Sequence, residues 1–430
     1  MIAPGSRPEL SAAASAVAAS RDAGLAIRSR RAFLKGGAAT LAAVPFGLAG
    51  TASAAGARPA AGSAHCLAPF GPVTLYTPPA DRPAPGTLYA RAVRLRAAPH
   101  RHRQAARPLL ATFEQYVAHD PVFPIFRSND DGRTWRQIGS VHDTVNGWGL
   151  RYQPFLYELP RPFAGLPRGT VLCAGNSIPD DLSRTKIDLY ASTDRGRTWH
   201  FLSSIARGGR AVPNNGETPV WEPFLLLHAG RLVCYYSDQR DPRYGQKLVH
   251  QSSRNLRTWG PVVDDVTDPE YIQRPGMPTV AALPNGRWIM TYEGGVRTGD
   301  GLPFFAVHYK IADDPLSFGA VEGQLLRDQS GYVPTSSPTV SWSPSGGRNG
   351  TIIVSANSDQ DLYVNRALGA QGAWTRVPSV VPAGYTRYTI PLEHGLVFTI
   401  SGGTIGNQGL NRVQDGVDRL FDRDQGHAPA

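Results

Sequence analysis

An eight-residue pattern, Ser-x-Asp-x-Gly-x-Thr-Trp, recurs along the chain and constrains its fold more than any other feature. It occurs at residues 128–135 and again at 192–199, which start 64 residues apart. A degenerate copy that lacks the aspartate and the glycine follows at 252–259, and fainter copies end at Phe318 and Trp374. A regular spacing of this length indicates one structural unit that is repeated several times.

Each repeat also contains two kinds of short strand. One kind follows a turn glycine and is rich in β-branched residues, as after Gly169, Gly230, Gly286, Gly350 and Gly395. The other kind carries a proline and precedes it, as at Gln153-Pro154, Glu222-Pro223, Met277-Pro278 and Ser337-Pro338. No strong helical period separates these strands.

Several short strands in every repeat, without helices, are accommodated by radial repetition of small sheets. Five repeats end in a recognisable aromatic residue, and a further unit can be completed by strands near residues 73–95 together with the C-terminal end. We therefore predict an all-β protein with the architecture of a six-bladed β-propeller.

The eight-residue pattern resembles the Asp-box of sialidase-type β-propellers. In those families the motif lies on the outer hairpin of a blade, away from the active site. The physics is that of a turn, because the aspartate accepts backbone N–H bonds and the glycine takes a positive φ. We expect Asp130 and Asp194 to be structural, so the motif indicates a sialidase-type fold and carries no information about the substrate.

The N-terminal segment has the features of an export signal rather than of a folded domain. Residues 29–35 read SRRAFLK and precede a weakly hydrophobic run, and residues 52–54 have the small-x-small form of a cleavage site. The segment resembles a twin-arginine (Tat) signal peptide, which implies a secreted protein that is exported in folded form. We predict a signal peptide at 1–54, a flexible linker at 55–69, a catalytic propeller at 70–415 and a C-terminal tail at 416–430.

Charge and apolar content limit the partners of the chain. The full chain has a net charge of +10, and loss of residues 1–54 would remove six basic and two acidic residues and leave +6. The basic residues are scattered rather than clustered, so we expect no nucleic-acid partner. No stretch of about 18 apolar residues follows residue 54, so we expect no membrane span. We also expect a monomeric protein.

Cysteine and histidine usage does not point to a cofactor. Cys173 and Cys234 occupy matching places in successive repeats, inside apolar strands where a thiol is commonly a small buried hydrophobe. We therefore predict no required disulfide. No Cys/His spacing is typical of zinc and no glycine-rich strand-to-helix loop is typical of a nucleotide site, so we expect no metal or cofactor.

Two glutamates at strand ends are the main candidates for catalysis. Glu222 opens a proline-bearing strand, and Glu293 ends the second strand of the following unit. Because inner strands of a propeller surround a central pocket, both side chains are expected there. Two carboxylates in one pocket can cleave a glycosidic bond, since one protonates the leaving oxygen and the other attacks or activates water. The residues alone leave the two roles interchangeable.

Three short segments resemble the motifs of glycoside hydrolase family 93. They are Trp221-Glu222-Pro223-Phe224, Tyr292-Glu293-Gly294-Gly295 and Tyr385-Thr386-Arg387-Tyr388. Residues 89–95 also resemble the opening strand of that family, with Ala90 where a proline is more usual, and the likeness covers most of residues 70–410.

This resemblance implies a retaining exo-α-1,5-L-arabinanase on a six-bladed propeller that releases arabinobiose from the non-reducing end of arabinan. It implies Glu222 as the general acid/base and Glu293 as the nucleophile. It also implies that Tyr388 donates a hydrogen bond to the nucleophile. A polysaccharide or oligosaccharide is the expected partner.

Other residues near expected strand ends are candidates for sugar binding. Arg91, Arg274 and Arg387 come from separate repeats, and Glu114 is a further carboxylate at a strand end in the first blade. Aromatic residues provide faces on which a sugar ring can stack. The aromatic candidates are Trp148, Tyr152, Trp221, Tyr271, Tyr292 and Tyr332.

Two alternatives remain open from the sequence. A sialidase would use a tyrosine nucleophile, here Tyr385 or Tyr388, with three arginines around the substrate carboxylate, but Asp120 is the sole candidate for its acid. A non-catalytic carbohydrate-binding propeller would keep the Asp-boxes alone. A separation of the Glu222 and Glu293 carboxyl groups far above about 6 Å would oppose the retaining mechanism. Three convergent arginines would favour the sialidase.

Overall fold

The computed structural model describes residues 68–96, 107–295 and 302–420. These residues form six four-stranded antiparallel sheets, which confirms the predicted six-bladed β-propeller. Within them the single helical segment is a 3₁₀ turn at Phe318–Ala320, and no helix is long and apolar enough to cross a membrane. The predicted signal peptide, nearly all of the linker and residues 421–430 lie outside the described residues.

Five blades consist of four consecutive strands each, which run in order from the innermost strand outward. Blade 1 contains β2 (Thr87–Arg94), β3 (Leu109–Gln115), β4 (Phe123–Ser128) and β5 (Arg136–Val141). Blade 2 contains β6 (Leu150–Glu158), β7 (Val171–Ser177), β8 (Thr185–Ser192) and β9 (His200–Gly208). Blade 3 contains β10 (Val220–His228), β11 (Arg231–Asp238), β12 (Lys247–Ser253) and β13 (Val263–Val266). Blade 4 contains β14 (Gly276–Ala282), β15 (Trp288–Glu293), β16 (Val307–Ala312) and β17 (Gln324–Leu325). Blade 5 contains β18 (Thr339–Ser343), β19 (Thr351–Ser355), β20 (Leu362–Asn365) and β21 (Trp374–Val377).

Blade 6 joins the two ends of the propeller. Its inner strands are β22 (Tyr388–Pro391), β23 (Leu396–Ser401) and β24 (Val413–Arg419), and its outer strand is β1 (Phe70–Tyr76). β1 pairs antiparallel to β24, with Phe70 opposite Val417. The joint blade predicted from the sequence is therefore present, and its last strand continues past the predicted domain boundary at residue 415. Pairing the two ends in one sheet closes the ring.

The six inner strands pack side by side, each on the next, and β22 packs on β2 to complete a ring. One non-glycine residue with a positive φ lies at or just before the start of every inner strand. These residues are Tyr89, Gln153, Glu222, Met277, Ser337 and Thr386, with φ between 46° and 63°. Four of them precede the prolines that the sequence repeats.

The pairing of β2, β6, β10 and β14 with the neighbouring second strand is irregular at this position, which is the signature of a β-bulge. A bulge redirects a side chain, and a positive φ in a non-glycine residue is strained. The strained residues face the axis of the ring, because the Tyr89 hydroxyl of blade 1 reaches the Met277 sulfur of blade 4 at 3.9 Å. The propeller thus brings one side chain from each blade to a common centre.

The turns formed by the eight-residue pattern at 128–135 and 192–199 join the third and fourth strands of blades 1 and 2. Asp130 accepts the Thr134 hydroxyl at 2.6 Å and its N–H at 2.9 Å, and Asp194 accepts the Thr198 hydroxyl at 2.6 Å. In the antiparallel sheet β4 runs in the same direction as β2, so the end of β4 and the start of β2 lie on different faces of the propeller. These aspartates therefore hold turns on the face away from the strained residues.

Apolar residues of the second and third strands fill the space between blades. Cys173 in β7 and Cys234 in β11 occupy equivalent places and are fully buried free thiols. Burial raises the pKa of both thiols, so they remain protonated packing groups.

Candidate active site

Glu222 lies at the strained position of β10, with 8% of its surface exposed. Its Oε2 atom accepts the Ser237 hydroxyl at 2.5 Å and the backbone N–H of Met277 at 2.7 Å. Its own N–H donates to the side-chain oxygen of Gln153 at 3.0 Å. The residue is therefore held by blades 2, 3 and 4 together.

Glu293 is the last residue of β15 and is equally buried. Its Oε2 atom accepts the backbone N–H of Ser337 at 2.7 Å, and the Ser336 side chain provides a second hydrogen bond. Each glutamate is thus fixed by one backbone N–H and one serine hydroxyl. The hydrogen bonds of the two carboxyl groups are equivalent in kind.

The two carboxyl groups meet beside Gly276, the first residue of β14. A methyl group added to Gly276 would lie 3.2 Å from Oε1 of Glu293 and 3.4 Å from Oε2 of Glu222. Because both oxygens lie that close to one point, their separation cannot exceed about 6.6 Å, the sum of the two distances. A glycine at this position leaves the space between them open.

Burial and mutual repulsion control the protonation of the pair. Burial, followed by the charge of Glu222, raises the pKa of Glu293 to about 8. Burial also raises the pKa of Glu222, although the bonds from Ser237 and Met277 and the charges of Arg274 and Arg91 oppose this. Two such coupled groups titrate as a unit, and with the pKa of Glu293 at about 8 the pair keeps at least one proton at neutral pH.

Glu114, at the inner end of β3, is a third buried carboxyl group in the site. It accepts the backbone N–H of Gln153 at 2.8 Å and the Tyr116 hydroxyl at 3.4 Å. Burial raises its pKa to about 8, so at neutral pH it is mostly a neutral acid that can donate a hydrogen bond. Gln153 therefore connects Glu114 to Glu222, through its N–H on one side and its side-chain oxygen on the other.

Two of the three predicted arginines lie at the site. The charge of Arg91 acts on Glu114 and Glu222, and its guanidinium lies 4.2 Å above the Tyr89 ring. Arg274 donates to Gln246 at 3.0 Å, and its charge acts on Glu222 and Glu293. Both place positive charge beside the buried carboxyl groups.

Arg387 was wrongly predicted to bind the substrate. Its side chain is fully buried and donates to the backbone carbonyls of Gln360, Asp361 and Val381. It holds the β19–β20 loop of blade 5 to the segment that follows β21, and it does not face the glutamates. The physical reason lies in Thr386, whose positive φ directs the neighbouring Arg387 away from the axis.

Like Tyr89, Tyr385 lies near both glutamates. The charges of Glu222 and Glu293 both raise its pKa, in addition to burial, and its ring contacts Tyr89 at 6.1 Å. Tyr388 packs edge-on against Phe155 at 6.0 Å, and the charge of Arg91 is the one that acts on its pKa. Among the hydrogen bonds of the described residues, none joins Tyr388 to either glutamate, contrary to the role that the resemblance implied.

The remaining aromatic candidates divide between the pocket and its surroundings. Tyr152 lies beside Glu114, whose charge raises the pKa of the Tyr152 hydroxyl. Trp221 is buried behind the pocket, where its indole N–H donates to Gln239 at 3.1 Å. Tyr292 stacks on His308 at 5.5 Å and lines a separate cleft between blades 3 and 4.

Trp148 and Tyr332 lie further out. Trp148 lies against Lys186 of β8, 5.2 Å from its ring, and so beside the third strand of blade 2. Tyr332 is exposed and lies under Arg376 of β21. The structure therefore brings Arg91, Glu114, Tyr152 and Arg274 together with the two glutamates, and leaves these two aromatic residues at the periphery.

Several site residues were missed by the sequence analysis. Tyr89, Gln153 and Met277 occupy the same repeat position as Glu222, and the shared dipeptide with proline could have identified two of them. Ser237 and Ser336, whose hydroxyl groups bond to the carboxyl groups, carry no comparable pattern. Within the described residues, no group of three or more His, Cys, Asp or Glu side chains could hold a metal ion.

Comparison with known proteins finds relatives among solved structures. No protein-family model and no curated protein matches the chain. An α-L-arabinanase of Penicillium chrysogenum in complex with arabinobiose is 48% identical, over 82% of this chain and 99% of that protein, with a TM-score of 0.78. An α-L-arabinofuranosidase of Fusarium graminearum is 43% identical, over 82% of this chain and 98% of its own, with a TM-score of 0.77.

The Fusarium protein is described as a member of glycoside hydrolase family 93 and has been solved with arabinobiose and with an iminosugar inhibitor. A sialidase of Streptococcus pneumoniae is 8% identical, over 83% of this chain and 71% of its own, with a TM-score of 0.50. That likeness concerns the fold alone.

Proposed function

The chain belongs to glycoside hydrolase family 93, and on this basis we propose that it is a retaining exo-α-1,5-L-arabinanase that releases arabinobiose from arabinan. The observation that carries the proposal is the position of Gly276 between Glu222 and Glu293. The limit of about 6.6 Å on the separation of their oxygens accommodates the 5 to 5.5 Å of retaining enzymes and lies at the lower edge of the inverting range.

In the first step, one carboxylate attacks the anomeric carbon while the other, still protonated, gives its proton to the leaving glycosidic oxygen. The C–O bond to the leaving chain breaks and an ester with the enzyme forms. In the second step the deprotonated partner takes a proton from water, whose oxygen replaces the ester oxygen. We assign the proton transfers to Glu222 and the attack to Glu293, following the family resemblance. The raised pKa of Glu293 places the shared proton on Glu293 in the free protein, so this assignment requires that the proton lie on Glu222 once the substrate is bound.

The neighbouring side chains suit the same mechanism. Arg91 and Arg274 offset the negative charge that the pair carries between proton transfers. Neutral Glu114 can donate a hydrogen bond to a sugar hydroxyl, and Tyr152 offers its ring beside it. We assign Tyr385 as the tyrosine that donates to the developing negative charge on the pair.

The shape of the pocket favours attack at a chain end. At the level of Glu222 the Tyr89 hydroxyl meets the Met277 sulfur across the axis, so side chains from opposite blades close the channel there. A pocket closed in this way admits the end of a chain and stops it after a fixed number of sugars. The sialidase alternative loses support, because Arg387 lies away from the two other arginines.

Incubation of purified protein with linear α-1,5-arabinan tests the proposal. We expect arabinobiose as the sole early product by mass spectrometry, and a ladder of longer products would overturn the exo assignment. Azide rescue assigns the roles: with an activated aryl arabinobioside, Glu293→Ala should yield an inverted glycosyl azide and Glu222→Ala a retained one. The reverse pattern would exchange the two glutamates.

Export by the twin-arginine pathway remains part of the proposal, motivated by residues 29–35. We expect the protein in the medium of a Tat-competent host and its retention when Arg30 and Arg31 are both replaced by lysine. Equal secretion of both forms would refute a twin-arginine signal.

A further inference from the structure

A second cavity opens between the outer strands of blades 3 and 4. It has a volume of about 570 Å³, within the range of small-molecule and oligosaccharide sites. The end of β13, the start of β16 and the loop at 319–323 form its walls. We refer to it as the blade 3–4 cleft.

The blade 3–4 cleft lies next to the catalytic pair. Pro275 and Gly294 line it, and these residues are the direct chain neighbours of Gly276 and Glu293. The cleft lies at the ends of β13 and β15 and at the start of β16, which the antiparallel pairing places on the face where β14 begins. A polymer that leaves the pocket on this side therefore meets the cleft next.

Aromatic rings and carboxylates line the cleft. Tyr244 is half-buried there, and Tyr292 stacks on His308 with 23° between the ring planes. The carboxyl groups of Asp264, Asp268 and Glu322 also line it. Rings that cover the faces of a sugar, together with oxygens that accept its hydroxyl hydrogens, are the groups that bind neutral carbohydrates.

The charges in the cleft discriminate between classes of polymer. The Lys310 ammonium is buried and donates to the backbone carbonyls of Asp265 and Phe318. Lys247 lies within 2.7 Å of Asp264, so its charge is already paired. A polyanion such as a polyuronate would meet the exposed Glu322 carboxylate, and like charges across an interface are costly. A neutral chain has no such penalty.

We propose that the blade 3–4 cleft binds the part of the arabinan chain beyond the bond that is cleaved. This inference rests on the proposed function and adds a second binding site to it. Tyr244 provides the stacking face and Glu322 accepts hydroxyl hydrogens. The site holds the polymer while its end occupies the pocket, and so it contributes to the affinity for long substrates alone.

Tyr244→Ala and Glu322→Gln test this assignment, because Glu322 is exposed, Tyr244 is partly exposed and neither belongs to the apolar core. For linear arabinan we expect Tyr244→Ala to raise KM about fivefold or more and Glu322→Gln about twofold, with kcat within twofold. On an aryl arabinobioside, whose leaving group is too short to reach the cleft, both variants should match the wild type. Val263→Ala, at the opposite end of β13, is the control, and its KM and kcat should match those of the wild type on both substrates.

Binding to the inactive Glu222→Gln protein gives a second measurement. Calorimetry should show that long arabino-oligosaccharides bind more tightly than arabinobiose, and that Tyr244→Ala removes this difference. The inference would be overturned if Tyr244→Ala left the KM for arabinan unchanged, or if it lowered kcat/KM equally for arabinan and for the aryl arabinobioside. Tighter binding of polygalacturonate than of arabinan would also overturn it. Failure of the wild type to release arabinobiose would instead refute the proposed function itself.

Discussion

The backbone N–H of Met277 donates a hydrogen bond of 2.7 Å to the Glu222 carboxylate in the neighbouring blade. Met277 follows Gly276, the residue that lies between Glu222 and Glu293. The position of one glutamate is therefore fixed by the strand that also sets its distance from the other. Packing between blades 3 and 4, rather than a flexible loop, determines the geometry of the pair.

Removing either carboxylate should abolish turnover. We expect Glu222→Gln and Glu293→Gln each to lower kcat on arabinan about 1,000-fold or more, because neither proton transfer nor attack can be replaced by an amide. Circular dichroism should show an intact fold in both variants. Activity within tenfold of the wild type in either variant would exclude that residue from the catalytic pair.

Filling the space at Gly276 should reduce activity without unfolding the protein. Its φ is not in the positive range, so alanine is compatible with the backbone, but the added methyl group would press on both carboxyl oxygens and on Gln246. We expect Gly276→Ala to lower kcat about 100-fold while the Tm stays within a few degrees. Gly409→Ala is the matched control, since its nearest neighbouring atom is 3.6 Å away. Equal kinetics of the two variants would show that the methyl group does not separate the pair.

Stability should depend on pH in the opposite sense to that of ordinary carboxylates. The pKa of Glu293 is raised to about 8, above its value in an unfolded chain. Its contribution to the free energy of unfolding is therefore fully present below about pH 4.5 and is lost as the pH rises through 8. Replacing it with neutral glutamine should leave the Tm unchanged at pH 4.5 and raise it by about 2 °C or more at pH 8.5. A lower Tm of Glu293→Gln at pH 8.5 would mean that its ionised form is stabilising.

The pH profile of kcat/KM should fall above about pH 8. Up to that pH the pair keeps the single proton that the mechanism needs, since burial and the charge of Glu222 raise the pKa of Glu293 to about 8. Glu114 has a similarly raised pKa, so Glu114→Gln is the necessary comparison. We expect that variant to be slower but to keep the same alkaline limb, and disappearance of the limb would assign it to Glu114.

Arg387 should matter for stability and not for substrate affinity. Its guanidinium donates to three backbone carbonyls in a site closed to solvent, and Arg387→Lys cannot satisfy them all. We expect the Tm to fall by about 5 °C or more, with an unchanged KM for the protein that remains folded. Arg274→Lys should behave in the opposite way, with a raised KM and a nearly unchanged Tm. A raised KM in Arg387→Lys at constant Tm would restore the predicted role.

The fold could be predicted from the sequence because each repeat contains residues that mark where its strands begin and end. The Asp-box turns, the turn glycines and the proline-bearing inner strands recur at a near-constant spacing, and the blade count follows from them. Glu222 and Glu293 were identifiable because a charge in an apolar strand needs a reason. Each of these signals lies within a few consecutive residues, so a single sequence is sufficient to recognise them.

The neighbours of the glutamates were harder to place, because adjacent residues of a strand face opposite sides. Tyr292 could not share the pocket with Glu293, and Trp221 could not share it with Glu222. At Thr386 and Arg387 the alternation itself is altered by a positive φ, which the sequence does not reveal. Interactions across blades, such as those of the Met277 and Ser337 backbone N–H groups with the carboxyl groups, depend on packing over long separations in the chain.

The stereochemistry of the first product tests the central claim most directly. The claim is that Glu222 and Glu293 act as a pair too close to admit an attacking water between them and the sugar. Proton NMR during the first minutes of arabinan hydrolysis should show α-anomeric arabinobiose before mutarotation produces the β-anomer. Appearance of the β-anomer first would contradict the retaining pair.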